Sequence, residues 1–424
     1  MDKRFFNFFN LSETEAIDLL DTPQSQIGPE DSRYIAAAHL VNFPTALAIQ
    51  ALIRAVDNTD PGLDNRIVRR KSIETLGRLR ATQALPTIHA CLADPDPYTV
   101  ENAVWALGEI GSRDPALLED VAQLLERPKQ LYRAIIHTLS KLGYQPALAR
   151  IQRFTEAEDS PVRSAAITAV CRLTQDYTAM VKVVGLLQHR EVFTRRLCIQ
   201  DLMDAQYYPA LNPIARCPVS LVFRLRAIRH LSDQGLAAGA LTFAEIQPAL
   251  EQTLRDHPQD LDLVHRYDTL PSLGVLIQTL YETDFGRCYL AAHTILAHYS
   301  EAAPEALFAT YEEEAYCDYG AHFHVVKLMG WLKHAPAYDL LIEALHHPQP
   351  QFQKSRAAAA IALGELGDQR AIPHLLPCLE AGNWELRYAA IMALEQLGDR
   401  SGVQLLHDPD WLIQAKARDL AQHS

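Results

Sequence analysis

The feature that most constrains this chain is a helical word that returns about every 31 residues. It occurs as Val68-Arg69-Arg70-Lys71-Ser72-Ile73-Glu74-Thr75-Leu76-Gly77 and again as Ser355-Arg356-Ala357-Ala358-Ala359-Ala360-Ile361-Ala362-Leu363-Gly364. Aligning the copies on the Leu-Gly pair places Leu76, Leu107, Leu139, Val170, Leu202, Leu231, Leu363 and Leu394 in one column. Arg69, Arg163, Arg195, Arg224, Arg356 and Arg387 fall seven residues before six of them. A period of this length, built from paired helices, predicts an all-α fold: a curved α-solenoid. One helix pair cannot bury its apolar face alone, so neighbours stack into a continuous core and leave an extended concave surface on which function is expected.

Composition narrows what such a surface can bind. Of the 424 residues 48% are apolar and 21% charged, and the formal net charge is −13. Phosphate neutralisation needs a basic stripe, so the acidic balance argues against nucleic acid and against a helical-repeat DNA repair enzyme. The seven cysteines are scattered, odd in number and without a C-x-x-C pair, which fits neither a disulfide framework nor a zinc module. A reducing, cytoplasmic location is expected. No apolar run approaches a membrane span, and Met1 to Asn10 lacks the long apolar stretch and small-residue cleavage site of a targeting segment.

Four stretches are expected. Residues 1–30 form an N-terminal helical cap, opened by the Ser12…Glu15 capping box. Repeats run over 31–233, beginning at Asp31-Ser32-Arg33 with Leu40 in the leucine column. A divergent helical bend covers 234–285, where Pro248, Pro258 and Pro271 break the rhythm. Repeats return over 286–424 and close with a capping helix from Trp411 to Gln422.

The register also predicts orientation. Positions equivalent to Ser72, Ile73 and Leu76 are core, whereas those of Arg70, Lys71, Glu74 and Arg78 share the other stripe and line the concave wall. Down the stack this wall carries Glu101, Asn102, Trp105 and Glu109, then Arg133, His137 and Lys141, and later Phe323, His324, Lys327 and Trp331. The two C-terminal repeats place Ala357, Ala358 and Ile361 there, so chemistry is expected in the first two thirds and around residues 316–331. The arginine column itself is expected to be a structural ladder between repeats. Arg66 and Arg70, beside it, are candidates for anion contact.

Two segments carry unusual chemistry. Tyr98 to Trp105 keeps the apolar skeleton of the repeat but puts Glu101, Asn102 and Trp105 on the wall, where an indole suits stacking on a planar ligand. Asp318 to Lys327 gathers a carboxylate, a phenol, two imidazoles and an amine at a helix start, although Asp318 equally fits an N-terminal cap. His322 and His324 are two apart and no H-E-x-x-H is present, so no metal site is expected. Phosphate loops, a G-x-S-x-G elbow and C-x-x-C are absent.

At Asp64-Asn65-Arg66-Ile67-Val68-Arg69-Arg70-Lys71, Tyr98 to Gly108, Pro161 to Ala166 and Gly364-Glu365-Leu366-Gly367-Asp368, the chain resembles the HEAT-repeat phycobilin lyases of the E/F type. Length and the opening Met1-Asp2-Lys3-Arg4-Phe5-Phe6-Asn7-Phe8-Phe9 look most like the long single-chain phycoerythrin lyases and lyase-isomerases of cyanobacteria. The resemblance implies HEAT-like helix pairs and no resident cofactor, with phycoerythrobilin as substrate. A thiolate of a phycoerythrin subunit, the alpha subunit, adds to the ethylidene carbon of ring A, and isomerising members also move a proton to give phycourobilin.

Under that resemblance Arg66 and Arg70 hold bilin propionates, Trp105 stacks, and Glu101 and Asp318 sit as carboxylates over the pyrrole nitrogens. Tyr319, His324 or Lys327 move protons, while Tyr98, Asn102, Arg133, His137 and Trp331 complete the bilin contacts. Because one open-chain tetrapyrrole is short, the clusters at 101–105 and 318–327 are expected to share one concave mouth. The alternative is a non-catalytic scaffold or chaperone for phycobiliprotein assembly.

Overall fold

The structure, a computed structural model, describes residues 11–28, 31–404 and 407–422. The opening Met1 to Asn10, on which part of the resemblance and the expectation of no targeting segment rest, lies outside the described residues. Helices pair throughout, and no strand occurs among the described residues. Two compact units form, residues 1–180 and residues 181–424. The stretch 234–285 belongs to the second. It comprises the end of one helix, the helix Phe243–Arg255, an irregular run around residues 261–272 and the short helix Leu273–Thr279.

The leucine column marks the long helix of each pair. These are α1 (Leu63–Arg78), α2 (Pro97–Ile110), α3 (Tyr132–Lys141) and α4 (Ser160–Thr174) in the first unit. In the second they are α5 (Val192–Asp204), α6 (Leu221–Ala237), α7 (Phe285–His298), α8 (Tyr319–Trp331), α9 (Gln353–Leu366) and α10 (Trp384–Gln396). Leu76, Leu107, Leu139, Leu202, Leu231, Leu363 and Leu394 are fully buried, as expected of the register. Their partners are mostly short and tighten into a 3₁₀ turn, as Leu85–Ala90 does through Cys91–Ala93.

The glycine after the column position, which is Leu76 in α1 and Met329 in α8, has a separate cause, which is close helix approach. A Cβ on Gly77 would lie 2.8 Å from the Ala106 backbone of α2, and one on Gly330 would lie 2.5 Å from Ala362 Cβ on α9. Only a missing side chain lets successive long helices come so near.

The arginine column is structural. Arg69 donates to Val56 O at 2.8 Å, Arg163 to Ala157 O at 2.8 Å, Arg356 to Leu345 O at 2.9 Å and Arg387 to Ala381 O at 2.8 Å. Each guanidinium satisfies carbonyls that the preceding helix or its following turn leaves without a partner. The Ser12–Glu15 capping box is formed, with Ser12 N to Glu15 at 2.8 Å and Glu15 N to Ser12 Oγ at 3.3 Å.

In the second unit one expectation about orientation is overturned. The helix Phe243–Arg255 and the closing helix Trp411–Gln422 lie across the faces that α8, α9 and α10 would otherwise turn to solvent. Lys327 Nζ donates to Leu254 O at 2.9 Å and Arg255 O at 2.8 Å, which caps the C-terminus of Phe243–Arg255. Glu251 accepts from Lys416 at 2.9 Å and from the Tyr388 hydroxyl at 3.4 Å. Phe323, His324, Lys327, Ala357, Ala358 and Ile361 are therefore buried rather than exposed on a wall. Alanines occupy α9 there because another helix covers them.

Candidate functional site

In the first unit the predicted face exists and combines α1, α2 and α3. Most of its charges neutralise one another. Lys71 pairs with Glu74, which Arg78 also reaches at 2.8 Å, and the Lys71 ammonium lies 5.0 Å from the Tyr34 ring. Arg70, expected to be open to an anion, is bound to Asp96 at 2.6 Å and stacks over Tyr98 at 5.0 Å. Asp96 is also the N-cap of α2, accepting from Thr99 N at 3.1 Å. One carboxylate thus serves the helix end and the guanidinium together.

Arg66 and Glu101 are different. Arg66, one turn before Arg70, is half-buried, and its Nε is enclosed with no hydrogen-bond partner. Glu101 is half-buried, and burial raises its pKa with no neighbouring charge to oppose the shift. One turn on, the partly buried Trp105 ring packs over Gly77, its Cζ3 3.0 Å from where a Cβ would sit. Tyr98 remains 53% exposed, and Asn102 is turned back to donate to Tyr98 O at 2.7 Å. On α3, Arg133 donates to Pro161 O at 2.8 Å, and His137 is half-buried. The face therefore offers a carboxylate without a counter-ion, an indole one turn away and a guanidinium nitrogen with no partner.

The second unit dissects the Asp318 to Lys327 segment. Asp318 is the N-cap of α8, accepting from Gly320 N at 2.8 Å and Ala321 N at 2.7 Å. Tyr319 stands 46% exposed. His322 and His324 are buried inside α8. Burial lowers the His322 pKa to about 4 and holds His324 well below the usual imidazole range. His324 is enclosed by Phe285 at 4.8 Å, Phe323 at 5.2 Å and Tyr289 at 5.5 Å, with neither ring nitrogen hydrogen-bonded. His324 and Lys327 are thus in the core, away from any surface ligand. Trp331 is partly buried and lines a small cavity of about 310 Å³ beside His257.

Sequence reasoning missed Lys354. It is buried on α9 with no hydrogen bond to Nζ, which sits 3.5 Å from the centre of the Tyr319 ring, 4.4 Å from Phe285 and 4.9 Å from Phe323. Burial lowers its pKa to about 7. A charged residue two places before the column arginine, where Ile67, Phe193 and Val222 stand in other copies, was the available signal.

The HEAT-repeat family matches residues 62–140 and 339–419. The chain is 63% identical to phycocyanin operon protein Y of Pseudanabaena tenuis, itself described as uncharacterized, over 98% of this chain and 99% of that protein. It is 31% identical to the bilin biosynthesis protein CpeY of Synechococcus sp. WH8020, over 92% of this chain and 97% of that protein. Among solved structures, the CpcE–CpcF complex of phycocyanin lyase from Nostoc sp. PCC7120 is 26% identical. It covers 57% of this chain and 94% of that one, with a TM-score of 0.49. No helix among the described residues is long and apolar enough to cross a membrane.

Proposed function

This chain belongs to the HEAT-repeat bilin lyases of the E/F type, and on that footing we propose that it attaches phycoerythrobilin through a thioether to a cysteine of the phycoerythrin alpha subunit. The observation that carries the assignment is Glu101, a half-buried carboxylate without a counter-ion, set one turn before Trp105. The protonated pyrrole nitrogens of the open-chain bilin supply the positive charge that Glu101 lacks, and the indole supplies the plane for the conjugated system.

Arg66 takes the propionate in this proposal, because Arg70 is already engaged by Asp96. Arg70, Tyr98, Asn102, Arg133 and His137 frame the bilin. In the second unit Asp318 is taken up as the cap of its helix and His324 and Lys327 are buried, so none of the three receives a part in proton traffic. Holding ring A beside the thiol supplies much of the rate by proximity.

The test is titration of the purified chain with phycoerythrobilin, followed by addition of apo-alpha subunit. A red-shifted bilin spectrum, then a covalently coloured subunit, supports the proposal. An unchanged bilin spectrum overturns it. Replacing each acceptor cysteine in turn identifies the site, and exclusive modification of the beta subunit overturns the choice of partner. Isomerisation to phycourobilin is read from the absorbance of the same product.

A further inference from the structure

In the first unit the outer helices of neighbouring repeats are joined by side chains that can carry opposite charge. His89 meets Asp120 at 2.8 Å, Arg150 meets Glu119 at 2.7 Å and Glu126 at 3.9 Å, and Arg153 meets Glu126 at 3.1 Å. Late in the second unit the same kind of junction is made by two imidazoles. His346 closes the helix Tyr338–Leu345, and His374 lies in the next outer helix, Ile372–Leu375. His346 Nε2 approaches His374 Nδ1 to 3.4 Å, with the ring centres 5.6 Å apart.

The two junctions use the same places in their repeats. Glu126 follows the buried Leu124-Leu125 as His346 follows the buried Ala344-Leu345. Arg150 and His374 are each the third residue of their helices, Leu148–Gln152 and Ile372–Leu375. Where one repeat pair sets a carboxylate against a guanidinium, the other sets one nitrogen ligand against another, with no opposite charges to hold them together. Their 3.4 Å separation exceeds the roughly 2.7–3.2 Å of an ordinary N–H donor contact. It matches a different geometry. Two zinc–nitrogen bonds of about 2.0–2.1 Å at the tetrahedral angle place their nitrogens about 3.4 Å apart.

The surroundings suit an ion of that kind. His346 is exposed and His374 half-buried, so an ion can enter and water can fill the other coordination positions. His346 feels the charge of Arg356, whose guanidinium is turned to Leu345 O at 2.9 Å. That charge opposes a cation held by electrostatics alone, which disfavours calcium and magnesium. It leaves ions that bond strongly to imidazole nitrogen.

We infer that His346 and His374 form a transition-metal site, taking a divalent ion such as zinc through His346 Nε2 and His374 Nδ1 and clipping two outer helices together. The inference is independent of the bilin-lyase proposal. Folding brings the two nitrogens together from positions 28 residues apart, so the ion binds the folded chain and stabilises it.

The test is calorimetric titration of the full, chelator-treated chain with zinc chloride, with thermal melts at each zinc concentration. The wild type should take up an ion here and gain Tm as zinc rises, and a chelator should reverse the gain. His346→Gln and His374→Gln should each lose this uptake and the gain, while melting as the wild type does without zinc. The double variant His346→Glu with His374→Arg rebuilds the charge pair of Glu126 and Arg150. It should keep the zinc-free Tm yet no longer respond to zinc, which separates loss of a ligand from loss of fold. A wild type that takes up no zinc overturns the inference and leaves a contact between two rings only. Uptake and Tm gain undiminished in the double variant overturn it as well, by placing the ion elsewhere. Neither result bears on bilin attachment, so the lyase proposal stands or falls separately.

Discussion

At Glu101 burial acts without an opposing charge, so the folded chain holds its proton more tightly than the unfolded chain does. Stability from this residue is present at acid pH and is lost as pH rises through the elevated folded pKa. At neutral pH the carboxylate therefore burdens the fold. Glu101→Gln should raise Tm at pH 7 and lessen its decline with pH, while slowing bilin attachment. Thermal melts of both forms check the first half, and a lower Tm would mean that Glu101 has a structural partner. Trp105→Ala should weaken bilin binding by roughly tenfold, measured by titration. The side of α2 that the two residues take was legible because the repeat register assigns a side to every position of that helix. The engagement of Arg70 was not, because its partner Asp96 lies 26 residues on and is recruited by the capping of the next helix.

At the scale of elements, the α8–α9 pair shows what a single helix pattern cannot say. The sequence of α8 identifies a helix, but its burial all round depends on Phe243–Arg255, some seventy residues earlier in the chain. The same cover explains the alanines of α9. Lys354 follows from this packing: an unfolded lysine titrates near 10.5, whereas burial lowers this one to about 7. Its stabilising contribution is complete above the unfolded value and is lost as pH falls through about 7. Lys354→Met should therefore flatten the rise of Tm between pH 7 and 10 and raise Tm at pH 7. A parallel pair of melting curves would show instead that the ammonium stays charged in its aromatic cage. Gly330→Ala forces a methyl against Ala362 and should cost about 1–3 kcal/mol in denaturant unfolding.

For the whole molecule, the leucine and arginine columns carried most of the fold. They gave the helix pairs, the core positions and the inter-repeat ladder, because each is a local pattern repeated at constant spacing. Leu107→Ala should cost about 2–5 kcal/mol if that register holds. The second unit was less legible, since its covering helices and the Arg195–Asp284–His265 chain join residues far apart in sequence. The central claim is that this solenoid makes a carbon–sulfur bond rather than merely gathering proteins. The direct measurement is the mass of the phycoerythrin alpha subunit after co-production with a phycoerythrobilin pathway, with and without this chain, under denaturing conditions. The account predicts one bilin's added mass on a cysteine only when the chain is present. An alpha subunit that co-purifies with the chain yet keeps its unmodified mass would contradict it and leave a scaffold in its place.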